Sequence, residues 1–205
     1  MFVEVVLGKA SNTSELVTAW RAVLAVLAEV GDRWHGATAG ASDAGAFVAL
    51  LGFESEEGAR NTLDHAAETV EWAALKHSLE GLEFHECPEV RAFVAADISQ
   101  AARVEIIHGR MAKAAPMTAS FEAAAVAAQG GSSVIAGLWC WSVDGFATSA
   151  VYRRSKGGRK DPEGAALAEP SGIERPTFVA LERPWSVFAF GTAPAPVASK
   201  GGRKR

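Results

Sequence analysis

Hydrophobic and polar positions alternate between two periods along this chain. Residues 2–7, Phe-Val-Glu-Val-Val-Leu, form a short β-branched run that predicts a strand. Asn12 and Glu15 then stand at capping-box spacing. Leu16, Trp20, Val23, Leu24, Leu27 and Val30 follow at intervals of three and four, which predicts an amphipathic helix stopped by Gly31-Asp32. A Gly- and Ala-rich strand is expected at 34–41, a turn at Ser42-Asp43-Ala44-Gly45, and a strand at 47–53. Residues 54–81 read as helical with a break near 64–68, and 82–87 as a final strand closed by Pro88. The order β-α-β-β-α-β is the split βαβ of ferredoxin-like folds.

The pattern then recurs. Val3-Glu4-Val5-Val6-Leu7-Gly8-Lys9 matches Val104-Glu105-Ile106-Ile107-His108-Gly109-Arg110, Gly45-Ala46-Phe47 matches Gly145-Phe146-Ala147, and Glu86-Cys87-Pro88 matches Glu182-Arg183-Pro184. Three matches in the same order point to a duplicated unit too long for a solenoid. The expected division is a first unit at 1–95, a linker at 94–101, a degenerate second unit at 101–192, and a flexible basic tail at 193–205. In the second unit, strands are expected at 103–108, 134–142, 146–153 and 177–182, with a helix near 119–129. Its second helix falls in 156–173, a stretch interrupted by Gly157, Gly158, Pro162, Gly164 and Pro170, so a short or irregular element is expected there.

The run 47–53 sets the packing. Phe47, Ala49, Leu51 and Phe53 make one face apolar, and Val48 and Leu50 do the same for the other. A sheet with a wet face would alternate apolar with polar. Helices cover one face only, so the other is expected to meet the sheet of the second unit. The fold class is therefore α+β, with two ferredoxin-like units packed sheet to sheet.

With these features the sequence resembles the dimeric α/β-barrel superfamily, in particular the antibiotic-biosynthesis-monooxygenase-like domains in a tandem, single-chain form. The residues that carry the resemblance are Val3–Lys9 and Val104–Arg110, the Gly-x-Phe strand running into Phe53-Glu54-Ser55-Glu56-Glu57, and the Glu-x-Pro closures. The resemblance covers about 190 residues. It implies a fold whose members include cofactor-independent oxygenases, haem-degrading enzymes, isomerases, decarboxylases and proteins of unknown role. The Asn, Trp and His set of haem-degrading members has no counterpart here: neither opening strand holds an Asn, and Trp72 and His77 do not fit the spacing. Fold alone does not choose among these chemistries.

Composition and charge narrow the field. The chain has 205 residues, 49% hydrophobic and 21% charged, a globular balance. No run approaches the roughly 20 apolar residues of a membrane span. The N-terminal residues lack a basic leader, and two cysteines make no disulfide framework, so a cytoplasmic protein is expected. Net charge is −4, unevenly spread: residues 1–97 carry 6 basic and 16 acidic side chains, and residues 98–205 carry 14 and 8. Basic side chains cluster in Arg153–Lys160 and at Lys200, Arg203, Lys204 and Arg205. Such runs can grip phosphates, but they also suit a solvated loop and tail. RNA-recognition domains share the β-α-β-β-α-β order, yet the first unit is acidic and offers Val48, Leu50 and Glu4 where stacking aromatics would stand. Nucleic acid is not an expected partner, nor is a membrane.

The candidate chemistry lies in a few positions. Glu4 and Glu105 occupy matching places in the opening strands. A carboxylate under the helices without a partner is costly, so both are expected to face the barrel interior, as acid or base, or as Arg-paired structural groups. Trp139 and Trp141, two apart on a strand, share a face and with Phe146 and Trp185 are expected to line an aromatic pocket or to fill core. His108 stands where the first unit has Leu7. His85 and Cys87 share a strand face, but no further metal-ligand spacing accompanies them. Neither metal nor cofactor is expected. Phosphate-loop, dinucleotide, nucleophile-elbow and zincin motifs are missing from the sequence. The combined expectation is a small-molecule-binding protein, as a cofactor-independent oxygenase of an aromatic or polyketide-like substrate. In it Glu105 or Glu4 serves as base and Trp139, Trp141, Phe146 and His108 bind the ligand. The alternative is a non-enzymatic binding or scaffolding protein with the barrel as core. The partner expected is a small apolar or aromatic molecule, and the assembly a monomeric pseudo-dimer or a homodimer.

Overall fold

The computed structural model describes residues 1–30, 34–111, 113–130, 133–154 and 172–187. The stop at Gly31-Asp32, the irregular second helix expected in 156–173 (apart from residues 172 and 173) and the basic tail at 193–205 lie outside the described residues.

The first sheet is built from β1 (Phe2–Ala10), β2 (Trp34–Ala41), β3 (Ala46–Phe53) and β4 (Leu79–Cys87), all antiparallel, in the order β2-β3-β1-β4. Three helices cover one face: α1 (Thr13–Val30), α2 (Glu56–Ala67) and α3 (Val70–His77). Their starts follow from capping chemistry. Asn12 Oδ1 accepts from the backbone N–H of Ser14 at 3.0 Å, Ser55 Oγ from Gly58 at 3.1 Å, and Thr69 Oγ1 from Trp72 at 3.2 Å. The Thr69 cap restarts the chain as α3, so the helical stretch after residue 54 is two helices.

The second sheet holds β5 (Glu89–Val94), β6 (Arg103–Met111), β7 (Val134–Trp141), β8 (Phe146–Arg153) and β9 (Ile173–Glu182), in the order β5-β7-β8-β6-β9. One helix, α4 (Ala114–Gln129), covers it among the described residues. It begins before the residue 119 expected from the pattern, because Pro116 is tolerated in the first turn, where its missing N–H is not needed. Residues 89–94, given no element by the pattern, pair with β7 as an edge strand.

Apart from β5, the two sheets share one strand order. They also share their irregularities. Register shifts fall between Leu7 and Lys9 in β1 and between His108 and Arg110 in β6, and again between Trp34 and Gly36 in β2 and between Val134 and Ala136 in β7. Both β-hairpins turn on a glycine with positive φ, Gly45 at 82° and Gly145 at 89°.

The sheets pack face to face. Val3, Val5, Leu7, Val48 and Leu50 of the first meet Val104, Ile106, Leu138, Ala150 and Tyr152 of the second in one buried cluster. The other face of β3 (Phe47, Ala49, Leu51 and Phe53) packs under α1–α3. The doubly apolar β3 pattern is thus explained by two separate cores. A buried hydrogen bond of 3.0 Å between Thr38 Oγ1 and the Tyr152 hydroxyl crosses from sheet to sheet. Beyond β9, Ser186 pairs with Ala39 of β2. No helix among the described residues is long and apolar enough to cross a membrane.

Candidate functional site

Strand alternation decides where each candidate points. In β1, Val3, Val5 and Leu7 take the face between the sheets, so Glu4 falls with Phe2 and Val6 on the helix face. In β6, Val104 and Ile106 face the other sheet, so Glu105 falls with Ile107 on the side of α4. The expectation that both carboxylates face the barrel interior is therefore corrected. The apolar neighbours on either side of each glutamate take the interior and turn it outward.

The two glutamates meet different surroundings. Glu105 Oε2 accepts from Arg153 Nε at 2.8 Å, and Glu105 Oε1 lies 3.3 Å from Arg103 Nε. Arg103 in turn reaches Glu182 at 3.3 Å, and Arg153 also donates to Ser133 Oγ at 2.9 Å. Glu105 is thus the Arg-paired structural carboxylate of the two readings. Glu4 is 5% exposed and stands opposite Glu86 on β4. Burial, and then the charge of Glu86, push its pKa up to about 7.

Trp139 and Trp141 do share a face, but it is the α4 face. Ala136, Leu138 and Cys140 take the inter-sheet side of β7. Trp139 is fully buried against Phe121, ring centroids 5.4 Å apart, and against Phe93 at 6.3 Å. Trp185 stacks on Phe47, 6.0 Å away, beneath α1. A single aromatic pocket of Trp139, Trp141, Trp185 and Phe146 is therefore corrected to core packing in two places, with Phe146 elsewhere.

Phe146 and His108 come together at one end of the space between the sheets. There an open cleft of about 460 Å³ is walled by Leu7 of β1, His85 of β4, His108 of β6 and Phe146 of β8. The His85 ring lies parallel to Phe146, centroids 3.7 Å apart and planes 1° apart, and His108 is tilted on the same ring at 6.1 Å. Glu83, Arg110 and Asp144 line the rim. His85 Nε2 is buried, 3.5 Å from Glu83 Oε2, without a hydrogen bond among the described residues. Burial, followed by the nearby His85, holds His108 below its ordinary pKa, so its imidazole is neutral at pH 7. Hydrogen bonds from the Ser142 hydroxyl and the Phe146 backbone N–H keep the Asp144 carboxyl below the usual range.

Glu83, Arg110 and Asp144 escaped the sequence reading, and His85 entered it only as a metal-ligand partner of Cys87. The available signal was the shared face of residues 83, 85 and 87. That this face meets His108 and Phe146 depends on how the sheets stack. Cys87 and Cys140 also face each other across the sheets, both buried as free thiols. Among the described residues, no group of three or more His, Cys, Asp or Glu side chains is placed to hold a metal ion.

No protein-family model matches the sequence, and no curated protein matches it. Solved structures do match its fold. A monooxygenase-like protein from Fusobacterium nucleatum superposes with a TM-score of 0.67 at 8% identity, over 93% of this chain and 94% of that one. A monooxygenase-like protein from Lactobacillus acidophilus gives 0.61 at 9% identity, over 88% and 92%. An anthrone oxidase-like protein gives 0.58 at 13% identity, over 95% of each chain. The chain shares the fold of these structures.

Proposed function

We propose that the inter-sheet cleft binds a small planar aromatic molecule and that the protein is a cofactor-independent oxygenase of such a substrate. One observation carries this reading: a neutral His108 and a buried His85 Nε2, without a hydrogen bond among the described residues, flank the Phe146 ring in an open cleft between the sheets. A neutral imidazole in a desolvated wall is a proton acceptor, and an aromatic wall holds a flat ring against it. An anthrone-type ketone supplies the matching chemistry. His108 takes a proton from the activated CH₂, and the carbanion gives its electrons to O₂. The resulting hydroperoxide loses water, so CH₂ and O₂ become C=O and H₂O. Substrate and oxygen balance the reaction without another reductant. Arg110 at the rim suits the enolate oxygen formed on the way.

The test is oxygen uptake with anthrone. One O₂ consumed per anthrone, accelerated by the protein and reduced at least 100-fold in His108→Gln, supports the reading. Saturable binding without oxygen uptake favours the non-enzymatic binding protein. Absence of both overturns the cleft as the site.

The architecture belongs to the same proposal. We infer two tandem units, residues 1–95 and 101–192, that form an intrachain barrel, with β5 of the first unit lent to the second sheet. The shared strand order, the paired bulges and the matched glycine turns support this. The expected solution species is a 21.5 kDa monomer, which native mass spectrometry checks.

A further inference from the structure

The first sheet carries a second polar constellation, remote from the cleft face. Glu4 and Glu86 stand directly opposite each other on β1 and β4, on the helix side. Like charges so placed repel, and neither carboxylate has a cation partner among the described residues. Glu4 is more than nine-tenths buried and makes no hydrogen bond or ion pair with any described residue. Glu86 is exposed and opens the pair to solvent.

The second sheet shows what the arrangement lacks. At the matching strand position, Glu105 is held by two guanidinium groups, Arg153 and Arg103. The registers place Phe53 of the first sheet where the second has Arg153, and Phe2 where it has Arg103. Where the second sheet has Ala180 across from its glutamate, the first has the further carboxylate of Glu86. At this place the first sheet therefore offers two acceptors and, among the described residues, no cationic donor.

We propose that Glu4 and Glu86 form a binding site for a guanidinium cation brought from outside the fold. A planar guanidinium can bridge two facing carboxylates with separate N–H donors, which a compact ion cannot. Phe84, two residues before Glu86 on the same face and partly exposed, provides a ring for the cation to lie against; Trp72 stacks behind it, centroids 6.1 Å apart. Two carboxylates fall short of the six or more oxygens a calcium ion takes. Burial and the neighbouring Glu86 leave Glu4 partly protonated near pH 7, and a bound cation would replace that proton.

The experiment titrates the full-length protein with methylguanidinium and with acetyl-Gly-Arg-Gly-amide, by calorimetry at pH 7.5. Saturable one-to-one binding, weakened at least tenfold in both Glu4→Gln and Glu86→Gln, is the expected result. Tighter binding of the peptide identifies a protein segment as the natural source, and equal binding a free small cation; either supports the site. Non-saturable uptake, or affinity in Glu4→Gln or Glu86→Gln unchanged from the parent protein, overturns it. Melting of Glu86→Gln, an exposed position, no lower than that of the parent separates loss of the site from loss of folding. The oxygenase reading stands or falls separately, because neither glutamate lines the cleft.

Discussion

His85 of β4 lies flat on Phe146 of β8, the ring centroids 3.7 Å apart, so one wall of the open inter-sheet cleft is a contact between the two sheets. Phe146→Ala removes both the stacked face and the cleft wall. Affinity for a flat aromatic ligand should fall at least tenfold, while stability should drop by about 1–2 kcal/mol. Ligand titration and chemical denaturation measure the two effects on the same sample.

Opposite pH dependences are built into His108 and Glu4. The folded-state pKa of His108 lies below its ordinary 6.5, so the unfolded chain binds the proton more readily. Its contribution is intact above pH 6.5 and is lost as the pH falls through the lower folded value. Glu4 has the reverse sign, since its pKa rises from 4.5 to about 7. Its contribution is present below pH 4.5 and is lost as the pH rises through 7. That shift amounts to roughly 3 kcal/mol at pH 8. Glu4→Gln should therefore melt above the parent protein at pH 8 and match it near pH 4.5, as thermal scans across this range will read.

Glu105→Ala takes the carboxylate at 2.8 Å away from Arg153, which is only 4% exposed, and leaves Arg103 with one of its two carboxylates. The expected destabilisation is about 3 kcal/mol. Below the melting range, cleft binding should be unchanged, because Glu105 lies on the α4 face. A large loss of ligand affinity with unchanged stability would return Glu105 to the site.

Gly137 has no room for a side chain. A Cβ there would lie 2.5 Å from both Phe93 Cε1 and Trp139 Cζ3. Gly137→Ala should cost about 1–3 kcal/mol and lift Phe93, with β5, away from the sheet. Denaturant unfolding, together with hydrogen exchange over residues 89–94, checks both consequences.

Burial and the neighbouring Cys87 raise the Cys140 thiol well above its ordinary pKa. Neither buried cysteine should react with a thiol reagent in the native protein, and both should react on unfolding. Ellman titration with and without denaturant counts them.

Much of the fold is written locally. The period of apolar residues marks β1, α1, β3 and β8, and Asn12 and Ser55 act on backbone N–H groups only a few residues away. The doubly apolar β3 already demands a second sheet, because an apolar face left in water is unfavourable wherever it occurs. Residues 89–94 were not legible, since a short edge strand takes its structure from β7 and not from its own pattern.

The candidate site was legible only in fragments. His108 and Phe146 stand out as single residues, but their meeting with His85 depends on how one sheet lies over the other. Trp139 and Trp141 visibly share a face, yet which face is set by the bulge after Val134 and by α4. Glu4 and Glu105 sit in nearly identical local sequences, Val-Glu-Val and Val-Glu-Ile. One is ion-paired because Arg153 arrives from β8, and the other has its pKa raised because burial and Glu86 meet it instead. The sequence determined by itself the elements, their alternation and the need for two layers, because these follow from backbone geometry and the exclusion of apolar surface from water. Only the tertiary structure decided which charges meet and which rings form a cleft, because strand register and sheet stacking bring together residues that are far apart in the chain.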